Sequence, residues 1–211
     1  PFKNRKFFSS TADFIDEQSW LDGVVVSTND EIVMGMGEKR GYRIHKRSAE
    51  LSGDAVSIKS VFQSLIADMG ISPKTMLWLF FLPIIYKNSA DFDRARKLVE
   101  QSESRSVASF VPVETHPYNC WSYDGESGIL EQFIPNGVFR RQDLPPAWML
   151  YHYICCFRAE VLDDLNDELV CAKTQPFFLS QETSRLLIEI DTPEDYERWN
   201  TQKLAQKPRW K

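Results

Sequence analysis

Between residues 23 and 113, short apolar runs alternate with segments of helical period, and no other feature limits the fold so tightly. "GVVVSTNDEI" (23–32) is a β-branched run that breaks into Ser27-Thr28-Asn29-Asp30, residues that cap helices. It reads as strand, turn, and a helix to about Arg40, and "YRIHK" (42–46) reads as a second short strand. In 52–70, Val56, Ile58, Val61, Phe62, Leu65, Ile66 and Met69 recur at helical spacing and Gly70 closes the segment. "MLWLFFL" is a continuous apolar run, expected to be a strand buried on both faces. Residues 89–101 predict a helix with Phe92, Ala95, Leu98 and Val99 inward, and 106–113 predict another strand. Such alternation implies a mainly parallel sheet with helices on both faces.

The pattern then changes. Residues 117–180 are rich in aromatics and prolines and show little helical period, which reads as an inserted β-rich lobe or arm. The chain returns to "RLLIEI" as a strand and "TPEDYERWNTQKL" as a final helix. A length of 211 residues accommodates one α/β domain with such an appendage, here residues 1–211 with 117–180 inserted. The net charge of −5 gives no basic footprint for nucleic acid. Cys120, Cys155, Cys156 and Cys171 lack metal-ligand spacing and read as reduced thiols of a cytoplasmic protein. The most apolar stretch, 76–85, is too short for a bilayer span and contains Pro83, so no membrane association is expected.

The chemistry concentrates at strand ends. In "IEIDTPED", Glu189 and Asp191 stand two apart and so face one way in a strand. Two adjacent carboxylates repel unless they share a proton or a cation. Mg²⁺ that also holds substrate phosphates needs only one or two of them. The plain alternative is that Asp191 or Thr192 caps the helix beginning near Pro193, which accounts for Asp191 and not for Glu189. "FRRQDLPPAW" offers Arg140 and Arg141 for carboxylate or phosphate recognition, or else a solvated turn with Arg–Asp pairing. His116 in "THPYNCW" is a candidate acid or base, with a structural role as the commoner alternative. "HKRSAELSGD" (45–54) places a basic cluster before a helix amino terminus, where a phosphate fits, or else it is a charged surface loop.

The ordered set "PFKN", "VVVSTNDEI", "HKRSAELSGD", "HPY", "RRQDLPPAW" and "IEIDTPEDYE" resembles the acylneuraminate cytidylyltransferases, across essentially the whole chain. The resemblance implies a Rossmann-like nucleotide-diphospho-sugar transferase fold with a dimerisation arm, matching the lobe at 117–180. It implies transfer of CMP from CTP to the anomeric hydroxyl of a sialic-acid-like 3-deoxy-2-keto sugar acid, with Mg²⁺, in a homodimer. Lys3 and Asn4 match the family's Lys-Asn, a catalytic charge on the phosphates and a nucleotide contact. Arg47, with Glu50 and Leu51, matches its Arg-x-x-Glu-Leu motif, and Ser57 lies where a nucleotide-side serine is expected. Arg141 and Gln142 match the Arg-Gln that looks toward the sugar, while Glu189 and Asp191 match its paired metal-binding aspartates.

Three departures accompany the resemblance. The family's basic Gly-rich loop and the strand before it are expected ahead of Pro1 and are not within the 211 residues. "FFLPIIYKN" replaces a Gln-Pro-Thr-Ser-Pro-like segment, and the family's Asn-Gly is replaced near Tyr151-His152, both on the sugar side. Two rival readings follow. One is a catalytically degenerate homologue that binds a nucleotide or a partner. The other is a cytidylyltransferase for another keto-sugar acid such as Kdo.

Overall fold

The computed structural model describes residues 2–101, 105–190 and 192–205, with side chains between residues 7 and 201 of these. Helix α1 (Phe2–Asp16) leads to strand β1 (Val25–Thr28), helix α2 (Glu31–Lys39) and strand β2 (Arg43–Lys46). β1 and β2 pair in parallel, from Val25 against Arg43 to Thr28 against Lys46. Asp30 starts α2 by accepting hydrogen bonds from Ile32 N (2.8 Å) and Val33 N (3.2 Å) through Oδ1. Phe8 and Ala12 of α1 pack with Val33 of α2 over Val26 of β1. The approach is so close that a Cβ at Gly37 would lie 2.9 Å from Val26 Cγ2.

Helix α3 (Ile58–Met69) covers the other face of this pair. Ser57 caps its start, and Gly70, at φ 60°, ends it in the left-handed conformation that glycine adopts without a Cβ penalty. Arg43 Nη2 donates to Met69 O at 3.0 Å, so the end of α3 lies level with the start of β2. Strand β3 (Met76–Trp78) therefore sets off in the same direction as β2.

Helix α4 (Ser89–Gln101) and strand β4 (Ser106–Pro112) follow, then a hairpin of β5 (Trp121–Asp124) and β6 (Ile129–Gln132). The long strand β7 (Trp148–Arg158), strand β8 (Gln175–Phe178) and helices α5 (Gln181–Leu186) and α6 (Pro193–Ala205) complete the order. β3, β7, β4 and β8 form one sheet in that order, in which β7 runs antiparallel to both of its neighbours while β4 and β8 are parallel. The sheet is thus mixed, a feature that strand–helix alternation does not reveal. No helix among the described residues is long and apolar enough to cross a membrane.

Ile84, Phe92, Ala95, Val107 and Ile154 form the main core, and Phe62, Phe157 and Leu162 a second cluster. Each large apolar side chain buried in this way contributes about 2 kcal/mol. The β4–β7 ladder breaks between Ala108, opposite Cys155, and Ser109, opposite Tyr151, so β7 bulges over residues 152–154. The wholly buried Ser109 closes the gap: its Oγ donates to Tyr151 O (2.5 Å) and accepts from Ile154 N (2.9 Å). Within the bulge, Tyr153 donates its hydroxyl to Asp91 Oδ2 at 3.0 Å and accepts from Asn88 N at 3.0 Å. Burial, with the Asp91 charge, pushes the Tyr153 phenol well above its ordinary pKa. The four cysteines are free, and burial pushes the Cys155 thiol up to about 12, away from thiolate chemistry.

Two expected strands differ from the structure. The apolar run at 76–82 pairs only through Met76–Trp78, with a last hydrogen bond from Leu79 N to Cys155 O at 2.9 Å. The reason lies in β7, whose bulge begins directly after Cys155 and leaves no partner further along. β3 is also only half-buried rather than covered on both faces. "RLLIEI" is not one strand either, since the Ser180 cap draws Arg185 and Leu186 into α5. Residues 187–190 then run extended, with a single bridge between Glu189 and Ile84.

The aromatic stretch 117–180 divides. β7 and β8 belong to the central sheet, whereas β5 and β6, among the described residues, pair only with one another and are largely exposed.

Replacing Ser109 by alanine leaves the buried Ile154 N–H without its acceptor. Its unfolding free energy is expected to fall by about 2 kcal/mol in urea titration, whereas a loss below about 0.5 kcal/mol would show that the bulge satisfies itself.

Candidate functional site

Open α/β sheets receive ligands beyond the carboxyl ends of their strands. At that end of β2 stands Arg47, whose backbone N–H donates to Thr28 O at 3.0 Å and so fixes it beside the end of β1. Arg47 lines a cavity of about 950 Å³ between β1 and β3. Its Nε is buried and, among the described residues, has no hydrogen-bond partner. An unpaired guanidinium N–H carries a desolvation cost that an anionic acceptor would remove.

Beneath Arg47, the buried His45 ties the two strands to α3. Its Nδ1 meets Ser27 Oγ at 2.9 Å, and its Nε2 meets Ser64 Oγ and Asp68 Oδ2, each at 3.2 Å. Ser57, expected on the nucleotide side, is occupied as the α3 cap: its Oγ accepts from Ser60 N at 3.2 Å. It does not line the cavity.

Glu189 is half-buried, and its backbone bridges Ile84 just past the end of β3. Ile190 N reinforces the contact by donating to Pro83 O at 3.1 Å. Asp191 lies outside the described residues. The cap of α6 belongs to Thr192: its N–H donates to Asp195 Oδ2 (3.0 Å), and Asp195 N donates back to Thr192 Oγ1 (3.2 Å). This reciprocal pair has the logic of a capping box. Phe7 of α1 packs against Ile188, Ile190 and Tyr196, which brings the amino-terminal half of α1 against the Glu189 segment. Lys3 and Asn4 belong to the first turns of that helix, and their side chains lie outside the described ones.

Lys87 is a site residue that the sequence reading missed. Its Nζ donates to Thr11 Oγ1 (3.1 Å), to Phe81 O (3.4 Å) and to Ile84 O. It therefore ties α1 to the loop that holds Glu189. Burial pushes its amine down to about 8. The available signal was its isolation: Lys87 is the only charged side chain between residues 76 and 88.

Arg141 and Gln142 sit in an exposed 3₁₀ turn, Arg141–Asp143, and do not line the cavity. Asp143 pairs with Arg140 at 2.6 Å rather than with Arg141. His116 has both ring nitrogens engaged, Nδ1 with Tyr118 N at 3.1 Å and Nε2 with Pro145 O at 2.9 Å, as the structural alternative requires. The structure thus joins Lys87, the Glu189 segment and α1 through the loop at 81–84, places Arg47 on the cavity between β1 and β3, and leaves the Arg-Gln pair on the arm. Among the described residues no three His, Cys, Asp or Glu side chains form a metal cage. A single described carboxylate, Glu189, suits a hard cation that completes its shell with phosphate and water.

The architecture has known counterparts. A CMP:2-keto-3-deoxy-manno-octonic acid synthetase, solved with CTP, superposes with a TM-score of 0.61 over 94% of this chain and 88% of its own, at 11% identity. The chain shares the fold of that enzyme. A 4-diphosphocytidyl-2C-methyl-D-erythritol synthase shares this fold with a TM-score of 0.60 over 91% of this chain and 86% of its own, at 13% identity. In sequence, the chain is 23% identical over 205 residues to the N-acylneuraminate cytidylyltransferase of Streptococcus agalactiae serotype V. That match covers 93% of this chain and 48% of the relative, so the chain spans about half the length of the curated relative it matches. No family model matches the chain.

The Lys87 amine makes stability depend on pH. Its folded pKa of about 8 lies below its unfolded value of 10.5, so burying the charge destabilises the fold fully below pH 8. The penalty is relieved between pH 8 and 10.5. Over that range the wild type should gain up to about 1 kcal/mol per pH unit relative to Lys87→Gln in urea denaturation. A flat difference would show that the amine does not titrate there.

Proposed function

We propose that this chain is the nucleotidyl-transfer unit of a CTP-dependent cytidylyltransferase acting on a sialic-acid-like 3-deoxy-2-keto sugar acid. The observation that carries the reading is Arg47, a buried and unpartnered guanidinium Nε at the ligand-binding end of a cytidylyltransferase-type sheet. In the reaction the anomeric hydroxyl oxygen bonds to the α-phosphorus of CTP. The bond from that phosphorus to the bridging oxygen breaks, and pyrophosphate leaves while the hydroxyl proton is lost. Catalysis of this kind rests on positioning and on neutralising charge rather than on covalent chemistry with the protein.

Arg47 would pair with phosphate oxygens at the strand ends. The amino-terminal half of α1 packs against the Glu189 segment, and the helix dipole would favour phosphate at its start. Lys3 would add a positive charge and Asn4 a nucleotide contact. Glu189 and Asp191 are the residues proposed to hold Mg²⁺, which when bound neutralises charge on the triphosphate. Lys87 keeps the Glu189 loop in place through the Phe81 and Ile84 carbonyls.

The exposed arm supports a homodimer. Tyr123, on a hairpin that pairs with no other strand among the described residues, is 68% exposed, and Phe133 and Phe139, in the segment that follows it, are 70% and 90% exposed. Arg141 and Gln142, on the same arm, would then reach the sugar side of a second copy. Free cysteines suit the reducing cytoplasm, where CTP is consumed, and the CMP-sugar would feed surface glycan assembly.

The decisive assay measures pyrophosphate release from CTP and Mg²⁺ with a panel of keto-sugar acids that includes N-acetylneuraminate and Kdo. Glu189→Ala and Asp191→Ala should each lower release at least 100-fold, in line with loss of a metal ligand, while leaving the circular dichroism unchanged. Unchanged turnover would remove the metal assignment, and no release with any acid would favour a binding-only homologue. For the arm, Phe133→Ser with Phe139→Ser should convert a dimer into a monomer by light scattering. A wild-type monomer would refute the dimer.

A further inference from the structure

The buried His45 engages three polar side chains, and their order is that of a proton relay. Ser27 Oγ stands 2.9 Å from its Nδ1, while Ser64 Oγ and Asp68 Oδ2 each stand 3.2 Å from its Nε2. Counting donors and acceptors fixes where the protons lie. Ser64 gives its one hydroxyl proton to Asp68 Oδ2 at 2.9 Å, so toward Nε2 it can only accept. A carboxylate likewise only accepts. Nε2 therefore carries a hydrogen, and in the neutral ring Nδ1 is the lone pair that receives the Ser27 proton. Hydroxyl to imidazole and imidazole to carboxylate is the sequence that activates a serine nucleophile. The two ring nitrogens are exchanged relative to the serine-protease arrangement. Each supplies a lone pair or an N–H in the ring plane, so the relay runs equally well in this sense.

Ser27 is the member of this cluster that meets open space. His45 is 3% exposed, whereas Ser27 is half-buried and lines the cavity of about 950 Å³. Val61, Phe62 and Leu65 of α3, with Leu77 and Leu79, give the same cavity an apolar wall. Val24 O and Thr28 O accept hydrogen bonds from Arg43 N and Arg47 N of β2, so alternation turns the Ser27 N–H the other way, toward the cavity. A nucleophile's own N–H can donate to the oxygen that becomes anionic during acyl transfer. We propose that Ser27 is the nucleophile of a further site, which hydrolyses esters of apolar carboxylic acids, with His45 as its base and Asp68 as a positioning residue. Ser27 Oγ bonds to the ester carbonyl carbon, its proton passes to His45 Nδ1, and the carbonyl electron pair moves onto oxygen. Collapse breaks the bond to the alkoxy oxygen, which leaves as the alcohol with the proton from Nδ1. Water then repeats the two steps on the acyl-serine and releases the acid. No nucleotide takes part, so the inference does not depend on the reaction proposed above.

Hydrolysis of p-nitrophenyl butyrate, measured without CTP, tests it. The chain should release p-nitrophenolate with saturation, and kcat/KM should exceed that for p-nitrophenyl acetate by about tenfold, because the longer acyl chain reaches the apolar wall. Ser27→Ala should lower kcat by about 100-fold with the circular dichroism unchanged. Asp68→Asn should lower kcat at a similar KM, a split that general damage to the fold would not produce. A second measurement needs no variant. An alkyl fluorophosphonate should bond through phosphorus to Ser27 Oγ with loss of fluoride, and peptide mass spectrometry would place the label. A rate that does not saturate, acetate turned over as well as butyrate, or full activity in Ser27→Ala overturns the proposal. So does a wild-type chain that takes no label or takes it at another residue.

Discussion

The structure turns on β7. An eleven-residue strand runs against both of its neighbours, between β3 and β4, and no other strand touches as much of the core. Such a strand must break its ladder to serve partners of different length, and the break falls at residues 152–154. Ser109 makes that break tolerable, since one hydroxyl replaces a missing backbone donor and a missing backbone acceptor. The bulge then sets two further features. It ends β3 after Trp78, which frees the chain to form the loop through Ile84, and it points Tyr153 at Asp91 and the start of α4.

The same loop connects core to site. Lys87 gathers the Phe81 and Ile84 carbonyls, Ile84 bridges Glu189, and Phe7 closes over Ile188 and Ile190. Glu189 is therefore positioned by a chain of backbone contacts rather than by a long strand. Arg47, on the cavity wall, is positioned by the parallel β1–β2 pair and by the His45 tie to α3.

Much of the first half was legible in the residues. Asp30 caps the helix whose start it marked, and Gly70 ends α3 because its left-handed φ suits glycine. These are local effects, set within one turn of chain. The C-terminal half was harder to read. "RLLIEI" has the apolar content of a strand, yet the Ser180 cap and the lack of a long neighbour leave it part helix and part bridge. Lys87 was passed over because a lysine in an apolar loop is usually solvated, and its burial arises only when α1 folds across it.

By itself the sequence determined the class of the fold, the limits of most helices, and the candidacy of Glu189 and of the basic cluster at 45–54. Those properties follow from local propensity, side-chain period and residue chemistry, all of which are written along the chain. Tertiary structure decided the direction of β7, the bulge held by Ser109, the burial of Lys87, and the cavity between β1 and β3. Each depends on which distant segments come together, and neither period nor propensity encodes that choice.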